Sequence, residues 1–425
     1  MPNTESLHIR NFAGLSDVQL ELKPVTVLIG PQASGKSVCA KLAFFFKELV
    51  RRLPSYALGE GTKDDARQED ERVFLTYFPA ETWGQGEFEV IYSFGKLRIT
   101  ARRSTPHSSK VAFEYSSYYD QLFDVVRSTL EQLELEDSRF FDIMGYRAVR
   151  QAVQKRIAAD ISPTLTNQAY FIPAGRSFFA TLRESVFSRL FEFDRSPIDP
   201  FLREFGDMYA WVRRRYAALS EKSDHGAVGI RIEALLGGRY LREDEDDYIL
   251  MTDGRRVPLD VSSSGQQEVL PLAIILATIT ETNGDRAQST LFVEEPEAHL
   301  FPSAQRQIIH LFAAATDLES PESFTQFLVT THSPYILAAL NNLMYGGKIA
   351  SEDQEKAGRV SDLLGRNVLI DPEKVAAYSL ENGSARFIID PETRLVEATL
   401  IDRVSGELAR EFEQLVAIDF GGDAA

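Results

Sequence analysis

The sequence has a single cysteine, Cys39. One thiol excludes an intrachain disulfide and a thiolate metal cluster, and it suits a reducing compartment. Positive charge is also short, with 46 Lys and Arg against 63 Asp and Glu, a net charge of −17. A general polycation is thereby excluded, so nucleic-acid contact would need a local basic patch acting against the global field. No apolar run approaches the ~20 residues of a membrane span. The longest, Val269–Ile279 and Leu42–Phe46, fall well short, and Met1–Arg10 lacks the apolar core of a secretory leader. No internal repeat or low-complexity segment is present. A protein of the cytoplasm without a membrane partner is expected. The remaining composition is that of a globular chain, 44% hydrophobic and 26% charged over 425 residues. That length allows two or three domains, or one large α/β domain with insertions.

Hydrophobic periodicity gives a coarse element map. Ser6–Phe12 and Val18–Leu22 alternate as strands, and Val25–Ile29 is an unbroken apolar run of the kind buried on both faces. A helix is predicted from Ser37 towards Leu53, stopped by Pro54. Residues 59–72, dense in charge, read as a surface loop. Phe88–Phe94 and Leu97–Ala101 flank Gly95-Lys96 as a hairpin, 119–160 reads as helix, and Tyr170–Pro173 as a short strand. Residues 177–220 read as a helical arm, too short of heptads for a long coiled coil. Another hairpin is expected in Tyr240–Asp260 and a helix in Gly265–Thr282, where Pro271 can kink the first turns. Thr290–Val293 and Phe327–Thr331 read as buried strands around a helix near 303–315. After Tyr345 a polar stretch, strands near 375–381 and 385–390, and an amphipathic helix near 405–417 close the map.

Four short motifs carry chemistry. Gly30-Pro31-Gln32-Ala33-Ser34-Gly35-Lys36-Ser37 fits G-x-x-x-x-G-K-[ST] between a predicted strand and helix. Its glycines let backbone N–H groups gather around phosphate oxygens. Lys36 then reaches the β- and γ-phosphates, and Ser37 offers a hydroxyl to Mg²⁺. Thr290–Val293 ends in Glu294 and Glu295, which a parallel sheet would deliver beside that loop. Glu294 stands where a carboxylate holds the magnesium shell, and Glu295 where a base polarises the attacking water. Ser262-Ser263-Ser264-Gly265-Gln266-Gln267 opens a helix. Alone it is an N-cap in a serine-rich turn; with the other motifs it is a second anion site, which two copies packed head to tail would each offer to the partner's γ-phosphate. His332, in Thr330-Thr331-His332-Ser333-Pro334, follows a buried strand and can bond a γ-phosphate or the attacking water, though a lone histidine is often structural. Glu295-Pro296-Glu297-Ala298-His299-Leu300 shows no metal-ligand spacing and reads as an interface loop.

In this order the motifs resemble those of the ABC-type ATPases, in the soluble branch that holds the heads of structural-maintenance-of-chromosomes (SMC) proteins, RecF-like proteins and OLD-type ATPases. The segments IRNFAGLSDVQLEL, SSGQQEVLPL, VEEPEAHLFP and TTHSPYIL are similar to the OLD-like bacterial AAA family ATPases. The resemblance implies an α/β P-loop fold: a mixed central sheet flanked by helices, with an antiparallel β subdomain and a helical insertion. It implies ATP and Mg²⁺ bound by Gly30, Gln32, Ala33, Ser34, Gly35, Lys36, Ser37 and Val38, with Ser37 and Glu294 at the metal. Glu295 would be the base, His332 the γ-phosphate sensor, and Ser263, Ser264, Gly265 and Gln266 the signature offered in trans. The usual signature begins Leu-Ser-Gly-Gly, whereas Ser262 and Ser264 stand at its first and third positions here. A Q-loop glutamine is not evident, and Arg176, or failing that Gln168, is the expected stand-in. The ATPase domain would comprise 1–58 and 226–345, interrupted by an insertion at 59–225 and followed by a small α+β extension at 346–425. OLD-type nucleases continue into a Toprim domain; the 80 residues after residue 345 are short for one, so none is expected.

The implied function is an ATP hydrolase that dimerises around nucleotide, as a pair or a higher even-numbered assembly, and gates a separately encoded effector. A nuclease in prokaryotic phage defence is the expected effector. Two alternatives stay open: a RecF-like or SMC-like clamp on DNA, and a nucleotide-gated scaffold without useful turnover. Arg213–Arg215 and the pair Arg102-Arg103 are the candidate DNA contacts, against a solvated helix face for the triplet and a hairpin end for the pair.

Overall fold

In the computed structural model, residues 4–57, 62–134, 141–181, 198–220, 227–244, 246–281, 289–316, 325–365 and 367–397 are described. Their strands are β1 (Glu5–Phe12), β2 (Leu15–Leu22), β3 (Val25–Ile29), β4 (Phe88–Phe94), β5 (Leu97–Arg103), β6 (Ala112–Tyr115), β7 (Gln168–Ile172), β8 (Gly238–Glu243), β9 (Asp246–Met251), β10 (Arg256–Pro258), β11 (Ser289–Glu294), β12 (Gln326–Thr331), β13 (Val375–Glu381) and β14 (Ser384–Phe387). An eleven-stranded mixed sheet runs β6-β5-β4-β1-β2-β14-β13-β3-β12-β11-β7, and β10-β9-β8 forms a separate small antiparallel sheet. This is the α/β architecture expected, with its antiparallel β subdomain.

The large sheet has two halves with different sequence signatures. In the parallel half, β13, β3, β12, β11 and β7 lie side by side. Both faces of β3, β11 and β12 are covered, so their residues are all buried and read as continuous apolar runs. Side chains still alternate between two cores. Val25, Val27, Ile29, Leu291, Val293, Phe327 and Val329 belong to one, while Leu28, Phe292 and Leu328 belong to the other. The helix Ser264–Glu281 fills the first core with residues such as Leu270, Ile274 and Ile275. The helix Lys36–Ala57 fills the second with Leu42, Phe44, Phe45, Phe46 and Leu49. Each fully buried phenylalanine contributes roughly 1.5–3 kcal/mol of apolar burial. Three layers, helix on sheet on helix, result. The antiparallel half, β1, β2, β4, β5 and β6, shows the alternation that a half-covered sheet needs.

Several local expectations change. Pro54 lies inside the first helix, which continues to Ala57; near a C-terminus the missing N–H and the ring clash disturb only the last turn. Within residues 59–72, those from Lys63 onward form the helix Lys63–Tyr77 instead of a loop. Thr62 and Asp65 make a capping box at its start, and Ala66, Asp70 and Phe74, four residues apart, are its buried stripe. Of the helical arm predicted over 177–220, the described helices pack into the core. Pro200–Ser220 buries Phe201, Phe205, Tyr209, Val212 and Tyr216 in the body of the protein, with the short helix Ser177–Thr181 before it; residues 182–197 lie outside the described set. The polar stretch after Tyr345 is also helical, Pro334–Glu352 and Gln354–Leu364. From the segment 346–425, β13 lies against β3 in the middle of the large sheet. The helix predicted near 405–417 lies outside the described residues.

Candidate functional site

Sheet register brings the motifs together. Ile29 at the end of β3 pairs with Thr331 at the end of β12, and Thr330 pairs with Glu294 at the end of β11. The next residues of all three strands, Gly30, His332 and Glu295, therefore emerge along one edge. β7 ends one strand further out, where the Ala174 N–H donates to Glu294 Oε2 at 3.3 Å.

The phosphate loop is fixed by two glycines. At Gly30 a Cβ would collide with the Leu380 carbonyl of β13, and at Gly35, where φ is +93°, it would collide with Leu15. Gly30, Gln32, Ala33, Ser34, Gly35, Lys36, Ser37 and Val38 thus form one turn running into the helix, with Gln32, Ala33 and Ser37 exposed. Lys36 is buried. Its Nζ donates to the Gly30 carbonyl at 2.9 Å, the Pro31 carbonyl at 2.8 Å and Ser34 Oγ at 3.3 Å. Burial pulls its pKa down, opposed by the charges of Glu295 and Glu297.

Glu295 and His332 meet directly, Oε1 to Nε2 at 3.0 Å, and His332 Nδ1 lies 3.4 Å from Lys36 Nζ. Since an ammonium can only donate, Nδ1 is the acceptor and Nε2 carries the proton towards the carboxylate. Glu295 has a left-handed backbone, φ +42°, which is uncommon for a residue with a side chain. That conformation is tied down from both sides: its N–H donates to the Thr330 carbonyl at 2.9 Å, and its carbonyl accepts from Ala298 N–H at 3.1 Å and from Arg176 Nη2 at 3.1 Å. Glu294 is buried, and its Oε1 has no hydrogen-bond partner.

Arg176 does not reach nucleotide space, which corrects the expected stand-in. It is fully buried. Nη1 donates to the carbonyls of Pro173 and Glu294, Nη2 to that of Glu295, and Nε to that of Glu268, whose carboxylate lies 3.5 Å away. The guanidinium is thus a clamp behind the paired acids. Gln168 is no substitute either: it starts β7, at the opposite end from the site, and accepts from Arg51.

The serine-rich turn is a capping box. The Ser263 N–H and hydroxyl donate to Gln266 Oε1 at 3.1 and 3.0 Å, and Gln266 N–H returns a bond to Ser263 Oγ at 3.3 Å. Ser263 and Ser264 are exposed, and a Cβ on Gly265 would sit 3.1 Å from the His299 carbonyl. Among the described residues no hydrogen bond or ion pair joins this turn to the phosphate loop of the same chain.

Two features were missed in the sequence. One is Glu297, whose Oε1 accepts from Thr331 Oγ1 and from His332 N–H, both at 2.7 Å. Its signal was present as a third acid directly after Glu294-Glu295-Pro296. The other is a cleft of about 410 Å³ beside the phosphate loop, walled by the β1–β2 turn and the β13–β14 turn. Both turns carry consecutive positive φ values, Ala13 with Gly14 and Asn382 with Gly383, the geometry of tight hairpins. The Ser16 N–H and hydroxyl bond the Gly383 carbonyl at 2.8 and 2.9 Å and lock the turns together. The Asn-Gly pair announced the second hairpin; nothing local announced that the tips would meet.

Of the arginines offered for DNA, Arg213, Arg102 and Arg103 bond within the chain, and Arg214 and Arg215 of the triplet are exposed. Arg213 is buried and paired with Asp247. Arg102 pairs with Glu114, and Arg103 bonds the carbonyls of Gly84, Gly86 and Ser108. Both do sit at the end of β5, as a hairpin end requires.

A family model described as "AAA domain, putative AbiEii toxin, Type IV TA system" matches residues 25–338. The chain belongs to this AAA-domain family. The match spans the phosphate loop, the paired acids, the serine-rich turn and His332, and it agrees with the P-loop ATPase class inferred from the motifs. No curated protein matches the chain. Solved structures similar to it include an SMC head bound to the C-winged helix domain of ScpA, at 14% identity and TM-score 0.42 over 91% of this chain and 97% of that one. The SMC head domain from Thermotoga maritima follows at 13% and 0.37, over 91% and 98%. An SMC head with an extended coiled coil, bound to the C-terminal domain of ScpA and derived from Pyrococcus furiosus, gives 11% and 0.40, over 96% and 100%. No described helix of this AAA-domain protein is long and apolar enough to cross a membrane.

Proposed function

We propose that this AAA-domain protein hydrolyses ATP between two copies of itself. The observation carrying the proposal is the contact chain Lys36–His332–Glu295 at the edge where β3, β12 and β11 end. A cation for phosphates, a carboxylate able to take a proton from water and an imidazole bridging them suffice to hold and cleave a terminal phosphate anhydride. ATP phosphates would lie on the N–H groups of residues 30–38, with the nucleoside towards the cleft between the two hairpin tips. In turnover, Glu295 accepts a proton from the attacking water, and His332, holding that carboxylate in place, registers the γ-phosphate.

The residues fit a divalent cation: a buried carboxylate oxygen of Glu294 has no partner, and Ser37 is exposed on the adjacent loop. Ser37 and Glu294 would hold Mg²⁺, which would neutralise charge on the transferred phosphoryl group.

The exposed serine turn supports a second copy. Large apolar side chains are exposed next to this turn and the two histidines in the chain: Val261 just before the turn, Phe301 two residues after His299 and Tyr335 three residues after His332. A partner's Ser263, Ser264, Gly265 and Gln266 would close the pocket over the γ-phosphate, and loss of that phosphate would release the pair. Higher even-numbered assemblies repeat the same contact. We infer further that the motion gates a separately encoded effector, a nuclease in phage defence, on the strength of family likeness alone. The DNA-clamp alternative would rest on the exposed Arg214 and Arg215, since Arg213 of the same triplet is buried.

Phosphate release with Mg²⁺-ATP, combined with light scattering, tests the proposal. Wild type should release phosphate, Lys36→Ala should not bind nucleotide, and Glu295→Gln should bind ATP, stall and accumulate as a dimer. An active, monomeric Glu295→Gln protein would defeat both the base assignment and the shared site. A wild type that binds ATP and pairs without releasing phosphate would favour the scaffold.

A further inference from the structure

We propose that Glu297 is the positioning residue that sets His332 against Glu295. The inference rests on the hydrolytic reading above and adds a part that this reading does not contain.

A single carboxylate oxygen organises three consecutive residues where β12 ends, Thr331, His332 and Ser333. Glu297 Oε1 accepts the Thr331 hydroxyl and the His332 N–H, both at 2.7 Å. Thr331 has one hydroxyl proton, and that proton goes to Glu297; its oxygen in turn accepts the Ser333 N–H at 3.0 Å. Ser333 then caps the helix Pro334–Glu352 through Tyr335 N–H. The chain from Ser333 through Thr331 to Glu297 thus fixes the backbone of the histidine at both its neighbours and at its own N–H. Bonds to an ionised acceptor are the short, strong kind, consistent with 2.7 Å.

The anchoring is specific because Glu297 stands on the turn that also carries Glu295, two residues earlier. β11 delivers the base, β12 delivers the imidazole, and Glu297 is the tie across the gap between their ends. With the tie in place, Nε2 meets Glu295 Oε1 at 3.0 Å. Without it, Thr331 and His332 lose their shared acceptor, and the imidazole is placed only by its own ring contacts, to Glu295 at 3.0 Å and to Lys36 at 3.4 Å. Displacement of a catalytic group by about 1 Å is worth on the order of a hundredfold in rate. Glu297 also lies close enough to Lys36 to favour its charged form, so the charge and the acceptor geometry can be separated by substitution. A glutamine retains an acceptor oxygen at the same reach and discards the charge; an alanine discards both.

The experiment is a cycle of Glu297→Ala, Glu297→Gln, His332→Ala and the double variant Glu297→Ala/His332→Ala. It reads kcat for phosphate release and, separately, the affinity for a fluorescent ATP analogue. Glu297→Ala should lower kcat by about a hundredfold with affinity changed by less than about threefold, and Glu297→Gln should recover most of the rate. The double variant should be no slower than His332→Ala alone, since a residue acting through the histidine has nothing left to position. Rate losses that multiply in the double variant, or a glutamine variant as slow as alanine, would overturn the inference. Failure of the hydrolytic reading looks different: His332→Ala and Glu295→Gln would then leave phosphate release unchanged.

Discussion

Replacing Arg176 by methionine tests whether this side chain is a buried clamp or a nucleotide ligand. Methionine fills similar volume and donates nothing. Its introduction would leave the Glu268 carboxylate, itself buried, without its cation. It would also strip donors from the carbonyls of Pro173, Glu294 and Glu295. Breaking one side of a buried ion pair costs about 3–5 kcal/mol, a large part of the ~5–15 kcal/mol that holds a folded domain. Arg176→Lys keeps the charge but not the fork, because one ammonium cannot serve four acceptors spread over three elements, and it should cost about 1–3 kcal/mol. Arg176→Met/Glu268→Leu removes both charges and should recover at least about 2 kcal/mol of the methionine loss. Urea denaturation followed by circular dichroism gives the stabilities, and a fluorescent ATP analogue gives the affinities. Under the clamp account the lysine variant binds nucleotide within about threefold of wild type while losing rate, since the left-handed Glu295 backbone is less well held. If Arg176→Met matches wild type in stability to within about 0.5 kcal/mol but loses nucleotide affinity tenfold, the guanidinium contacts ligand and the reasoning fails.

Gly30→Ala should abolish nucleotide binding, because its methyl meets the Leu380 carbonyl and can be relieved only by shifting β13 from β3; titration with the ATP analogue checks this, and normal affinity would contradict the packing. Ser263→Ala should cost about 1 kcal/mol of stability as a lost cap and, beyond that, suppress ATP-dependent pairing while each monomer still binds nucleotide; unimpaired dimers on a sizing column would remove this turn from the interface. Asp70 is raised from 3.8 to about 6, chiefly by burial, against the pull of the Tyr115 and Tyr56 hydroxyls. Its folded pKa exceeds its unfolded one, so the native state binds the extra proton and stability falls as pH climbs from about 4 through 6, by up to roughly 3 kcal/mol. Asp70→Asn should flatten that part of the profile, and parallel wild-type and variant profiles would show that Asp70 does not titrate there.

The parallel half of the fold was legible because its strands are buried on both faces and stand next to glycine-rich or acidic punctuation. Val25–Ile29 ending at Gly30, and Thr290–Val293 ending in two acids, each show element, end and chemistry in one stretch. The helix Lys63–Tyr77 was hidden because only Ala66, Asp70 and Phe74 of it are buried, and one of those three is an acid satisfied by two tyrosines distant in sequence. Arg176 was legible as a charged residue near the right strand and misplaced in role. The four acceptors that engage it come from three separate segments, and no local pattern predicts that they converge. Glu297 was visible as an acid and invisible as an anchor for the same reason: its partners sit on the next strand.

The place of β13 beside β3 has a consequence for biosynthesis. β3 and its phosphate loop leave the ribosome early, whereas the strand whose Leu380 carbonyl shapes Gly30 is made late. Until then one flank of β3 has unsatisfied peptide groups, the sort of open edge that recruits stray chains. A nascent polypeptide stalled before Val375 should therefore be unable to grip a nucleotide and should depend on chaperones for its solubility.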